Sequence, residues 1–156
     1  MPNWCDNNLY VYGTAKDLAK FKKQAVGYSP WMTSEERAKE KPCGLNFHSL
    51  VPIPDQVLKA DDQTMGNWTD EHWGAFGGAS YSGDASEVDA LVGKGVPAVL
   101  LYSLDTRWVP PIAFLKNVSK KWPTLLFLLD YTGEGLEFIG IAKAKAGEIE
   151  HYQVEL

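Results

Sequence analysis

Two amphipathic helical stripes, each flanked by segments that alternate like strands, and one segment apolar on both faces predict an α+β fold. They come in the order strand, helix, strand, then strand, helix, strand. That order predicts a ferredoxin-like βαββαβ sandwich with its helices on one face of an antiparallel sheet. An aromatic and glycine-rich insertion over about residues 55–95 and a C-terminal β-hairpin extension complete the expected domain, which takes in residues 1–156. A chain of 156 residues is long enough to bury a sizeable core.

The first strand runs from Asn7 to Gly13, with Leu9 and Val11 on one face and Tyr10 and Tyr12 on the other. Thr14 is a good N-cap for the helix that follows, and Asp17 stands at its third position in a variant capping box. Leu18, Phe21, Ala25 and Tyr28 recur at helical spacing, with Lys16, Lys20, Lys22 and Lys23 outside. The run Ser34 to Lys41 reads as a short solvated helix capped by Thr33 or Ser34 and stopped by Pro42. Leu45 to Val51 alternates and reads as a second strand, ended by Pro52 and Pro54, which lack the N–H a ladder needs.

Residues 55–95 are less regular. A helical turn is expected near Gln56–Leu58. Trp68, Trp73, Phe76 and Tyr81, set among glycines, then suggest an ordered loop packed through its own rings. A short helix is expected around Ser86–Val92. Val96 to Leu104 reads as a strand. Pro111 opens a helix with Ile112, Leu115, Val118 and Trp122 on its buried stripe, and Pro123 ends it. Leu125 to Tyr131 is apolar on both faces, the mark of a central strand covered on both sides. Leu136 to Ala146 and Ile149 to Val154 form the closing hairpin, whose Lys143 and Lys145 suit a solvated face or an edge.

Composition narrows the function classes. Apolar residues make up 45% of the chain and charged residues 22%, with a net charge of −5, which points away from disorder and from a broad polyanion-binding surface. No apolar run is long enough to span a bilayer and no leader is legible, so a cytoplasmic protein with no membrane partner is expected. Cys5 and Cys43 form no CxxC unit. His48, His72 and His151 lack the close spacing that announces a metal site, so neither a metal nor a cofactor is expected.

No catalytic constellation stands out. Asp105, Asp130, Glu134 and Glu137 are acidic candidates, but none has an evident nucleophile or base beside it, and no catalytic residue is assigned. P-loop, dinucleotide and nucleophile-elbow motifs are missing from the sequence. A tryptophan at position 4 is a large apolar group near a terminus, which suggests a docked segment. With it, Asn3, Trp73, Arg107 and Trp108 make a candidate binding surface for a protein partner or a second copy of the chain. Two alternatives stand beside that reading: a small-ligand enzyme with its pocket near Trp4, Trp73 and Trp108, and single-stranded nucleic-acid binding on Tyr10 and Tyr12.

Met1 to Cys5 (MPNWC) followed by Asn8, Leu9 and Gly13, then Phe47 to Pro54 (FHSLVPIP), resembles the opening of the YubB-like family of bacterial plasmid- and phage-associated proteins. Trp73-Gly74, Trp108-Val109-Pro110-Pro111, Trp122-Pro123 and Tyr131 with Gly133 are further points of resemblance. The resemblance implies a ferredoxin-like domain in a mobile-element setting. It implies no activity.

Overall fold

The computed structural model describes residues 3–82, 86–88 and 98–156. Strand β1 (Trp4–Gly13) occupies the middle of the sheet, and helix α1 (Ala15–Ala25) follows it at once. Thr14 caps α1, its hydroxyl accepting from the Asp17 N–H at 3.2 Å. The Asp17 carboxylate does not complete a capping box, because it accepts from the Thr124 hydroxyl at 3.1 Å. Leu18, Phe21 and Ala25 are buried as their spacing requires, but the helix ends before Tyr28.

Four helices come next: α2 (Ser34–Lys39), α3 (Phe47–Leu50), α4 (Asp55–Leu58) and α5 (Asp62–Trp73). Helix α2 carries a full capping box between Thr33 and Glu36 and buries nothing. Helix α3 corrects the strand expected over Leu45–Val51. The Asn46 side chain accepts from the Ser49 N–H at 2.9 Å, and that cap turns the chain into a helix. Phe47 and Leu50, three apart, then share a face and are both buried. An alternating pattern and one helical turn agree over so few residues, and the cap decides between them.

Strands β2 (Ala79–Ser82), β3 (Ser86–Val88) and β4 (Ala98–Arg107) precede helix α6 (Ile112–Lys121). A helix around Ser86–Val92 is therefore corrected: its first three residues are strand, paired with Val99 to Leu101, and the rest lies outside the described residues. Val96 and Pro97 lie outside them too. Strands β5 (Leu126–Gly133), β6 (Phe138–Lys145) and β7 (Glu148–Glu155) complete the chain, with one 3₁₀ turn (Glu134–Leu136) between β5 and β6.

Among the described residues these strands form one sheet in the order β2-β4-β1-β5-β6-β7, with β3 also on β4. Its pairings are antiparallel throughout. Helices α1 and α6 lie on one face. There Cys5, Leu9 and Val11 of β1 meet Leu100, Tyr102 and Leu104 of β4, Phe127, Leu129 and Tyr131 of β5, and the helix residues Phe21, Phe114, Leu115 and Val118. Phe47 stacks on Phe114 with centroids 3.8 Å apart, tying α3 to α6. On β5 only alternate residues are buried, so Leu126 and Leu128 stay partly exposed on the far face. Apolar character on both sides of this strand does not mean that both sides are covered.

Among the described residues one buried core group has no hydrogen-bond partner. The Tyr102 hydroxyl is buried without a hydrogen bond, and burial pushes its pKa far up. Tyr102→Phe removes that orphan and keeps the ring, so the variant is expected to gain up to about 1 kcal/mol, read as a higher Tm in a thermal melt. A loss of stability would mean that the hydroxyl has a partner in solution.

Candidate functional site

Helix α5 builds one wall of the site. Asp61 caps it, accepting from the Thr64 N–H at 2.8 Å, and Gly74 ends it at φ 73°, a left-handed conformation that favours glycine. Beyond Gly74 the chain doubles back onto the helix. The Thr69 hydroxyl donates to the Gly66 carbonyl at 2.9 Å and accepts from the Gly77 N–H at 3.2 Å, which pins the loop. Gly66 leaves room for Phe76: a Cβ there would lie 2.2 Å from the ring. Phe76 is thus held against the helix yet 42% exposed.

Trp31 forms the facing wall. Its indole N–H donates to the Met65 sulfur at 2.9 Å, its ring meets Trp73 edge-on at 6.5 Å, and it is 43% exposed. The Arg107 guanidinium lies over the Phe76 ring at 5.9 Å, within cation–π range. Between these groups opens a cleft of about 340 Å³, lined also by Asp62, Met65, Gly66, Thr69 and Gly77. That volume falls within the range of small-ligand sites. Aromatic walls with one guanidinium and one carboxylate suit an apolar group that carries charge beside it.

The five residues singled out from the sequence divide into two groups. Asn3, Trp4, Arg107 and Trp108 come together at one end of the sheet: Trp4 pairs with Arg107 across β1 and β4, and the Trp108 N–H donates to the Asn3 carbonyl at 2.8 Å. The Trp4 N–H donates to the Glu134 carboxylate at 2.8 Å, so the segment is docked. Trp108 takes φ 64° and is 52% exposed. Trp73 is different. It is buried, its indole N–H donates to the Val51 carbonyl at 3.0 Å, and Phe47 and Trp68 pack edge-on against it. Of the five, Arg107 alone lines the cleft. Sequence reasoning missed Trp31 and Met65, and the signal for Trp31 was a tryptophan directly after Pro30 in a loop.

The other chemistry is dispersed. Asp105 and Asp6 face each other across β1 and β4. Burial, a hydrogen bond to Asp6 and the Asp6 charge all push the Asp105 carboxyl above its usual range. His48 Nδ1 accepts from the Ile53 N–H at 3.0 Å. Burial holds the Cys5 thiol up at about 12, whereas Cys43 is exposed. No group of three or more His, Cys, Asp or Glu among the described residues is placed to hold a metal. No helix among them is long and apolar enough to cross a membrane. Tyr10 and Tyr12 share their sheet face with Asp6, Asp105 and Asp130, and those carboxylates repel a phosphate backbone.

Residues 98–155 match the family model described as the ferredoxin-like domain in Api92-like protein. That segment holds β4, α6 and the β5–β7 meander, the half of the sheet whose pattern was sharpest in the sequence. A solved structure, the protein api92 from Yersinia pseudotuberculosis, is similar over 97% of this chain and 98% of its own, with a TM-score of 0.66 and 6% identity. At that identity the likeness shows a shared fold. No curated protein matches the chain.

Proposed function

We propose that the protein is a binding module whose cleft between Trp31, Phe76 and Arg107 takes up a short segment of a partner polypeptide. The carrying observation is that Trp31 and Phe76, 43% and 42% exposed, line one cleft with the Arg107 guanidinium over the Phe76 ring. Tryptophan and arginine dominate the energetic centres of protein interfaces. Rings already held in place lose little freedom on binding. The preferred segment carries an aromatic or aliphatic side chain next to a carboxylate, which Arg107 would receive. Trp108, exposed beside Arg107, would extend the contact along the rim, with Asn3 and Trp4 behind it.

Several finer expectations belong to the same proposal. The chain is read as one domain, residues 1–156, in βαββαβ order with β6–β7 as the hairpin extension; the second strand, expected over Leu45–Val51, is here taken to be the β2/β3 edge, which moves the insertion from about residues 55–95 to helices α2–α5. Work in the cytoplasm of a host of plasmids or phages, which the YubB-like resemblance implies, completes it.

Selection from a random peptide library on the immobilised protein tests the reading. Enriched peptides are expected to pair an aromatic or aliphatic residue with Asp or Glu. Their binding should weaken by about tenfold or more in Arg107→Ala and Phe76→Ala, with an unchanged Tm. Peptides that bind both variants as well as the parent protein would remove the cleft from consideration.

A further inference from the structure

Helix α5 turns one face to the cleft. Asp62, Met65, Gly66 and Thr69 all line it, and that spacing is the stripe of a single helix face. Phe76 packs over Gly66, so Asp62 stands one turn, about 6 Å along the axis, from the place where the ring is seated. Arg107 lies over the same ring at 5.9 Å. One carboxylate and one guanidinium therefore border a cleft whose other surface is aromatic, thioether and small.

Among the described residues neither charge is neutralised. Asp62 and Arg107 form no ion pair with one another or with any other described residue. The neighbouring Asp61 is occupied, its carboxylate accepting from the Thr64 N–H at 2.8 Å and from the Thr64 hydroxyl at 3.1 Å. Asp62 has no such duty. Opposite charges that border one cleft without meeting leave a dipole for a ligand to complement.

We infer, on the reading of this cleft as a peptide site, that the partner segment carries a lysine or arginine as well as an acid, one on each side of its apolar residue, and that Asp62 selects the base. Asp61 adds a second negative charge at that end, so an acid on the segment is repelled there and attracted only at Arg107. Discrimination of that kind rests on the repulsion as much as on the attraction. A base on a long flexible stem can reach an exposed carboxylate at the rim while the apolar residue fills the cleft. Asp62 is exposed and sits at the positive end of the α5 dipole. Solvent, salt and that dipole all temper the pair, so a preference of about two- to fivefold is expected at low salt.

Selection of one random peptide library on the parent protein and on Asp62→Lys in parallel tests it. Peptides from the parent are expected to carry Lys or Arg within about two residues of the apolar one, on the side away from the acid. Those from Asp62→Lys should carry Asp or Glu there. Should Asp62→Lys fail to fold, Asp62→Asn decides. Replacing the base of an enriched peptide by norleucine should weaken its binding to the parent about two- to fivefold and leave its binding to Asp62→Asn unchanged. Peptides that need Phe76 and Arg107 yet show no preference for a base would overturn the inference and leave the cleft as a peptide site. So would a base whose loss costs the parent and Asp62→Asn equally. Peptides indifferent to both Phe76→Ala and Arg107→Ala would remove the site and its selectivity together.

Discussion

Trp73→Ala is expected to destabilise the fold by about 3–5 kcal/mol, enough to leave a domain of ordinary stability largely unfolded. The ring is 1% exposed and sits where three segments meet: Phe47 of α3, Trp68 one turn back on α5, and Trp31 of the loop after α1 all meet it edge-on. Its N–H satisfies the Val51 carbonyl at 3.0 Å, so truncation opens a cavity and also orphans a buried acceptor. Equilibrium urea unfolding reads the effect directly. A variant within about 1 kcal/mol of the parent would return Trp73 to the binding surface. Trp31→Ala offers the contrast: its ring is half in solvent, so a smaller stability loss is expected.

Asn7→Asp is expected to be nearly as severe, about 3 kcal/mol or more at neutral pH. The Asn7 amide donates to the Cys5 carbonyl at 2.7 Å, the Leu104 carbonyl at 3.2 Å and the Thr106 hydroxyl oxygen at 3.0 Å, all in the buried heart of the β1–β4 pair. A carboxylate there has no hydrogen to give and faces two carbonyl oxygens. Its pKa in the folded protein would be raised, so the folded state would bind the proton more tightly than the unfolded chain. The penalty is then absent below the ordinary aspartate value near ~4 and grows as pH rises through and above it. Urea unfolding at acid and neutral pH should show stability recovered on acidification, a signature that Asn7→Ala lacks. A pH-independent loss would mean that the carboxylate has turned to solvent.

What could be read from the sequence follows the length and regularity of its periodicity. Helices α1 and α6 announced themselves because Leu18, Phe21 and Ala25, and Leu115 and Val118, keep strict helical spacing with lysines outside. Strands β1, β5 and β6 were legible because β-branched, leucine and aromatic residues alternate between clear turn signals. Helix α5 was not. Its buried residues are Gly66, Thr69 and Trp73, and two of those three are small or polar, so no apolar stripe betrays it. Asp61 and Gly74 mark its ends, but glycines read as loop until their left-handed conformation is seen. The same ambiguity hid the cleft. Its aromatic walls lie on segments with no period of their own, Trp31 before α2 and Phe76 after α5, and only the tertiary fold brings them together around a cleft of about 340 Å³. The sheet end was better marked, because Trp4 and Arg107 are register partners on strands that the pattern already placed.

Strand β7 ends the sheet, and its outer rim offers backbone donors and acceptors to any passing strand. An unguarded rim of that kind seeds fibres. Here Glu148 and Glu150 stand on one face of the strand and Glu155 on the other, and a second molecule approaching in line would bring its own acids near them. Those charges are expected to disfavour end-to-end growth at high concentration.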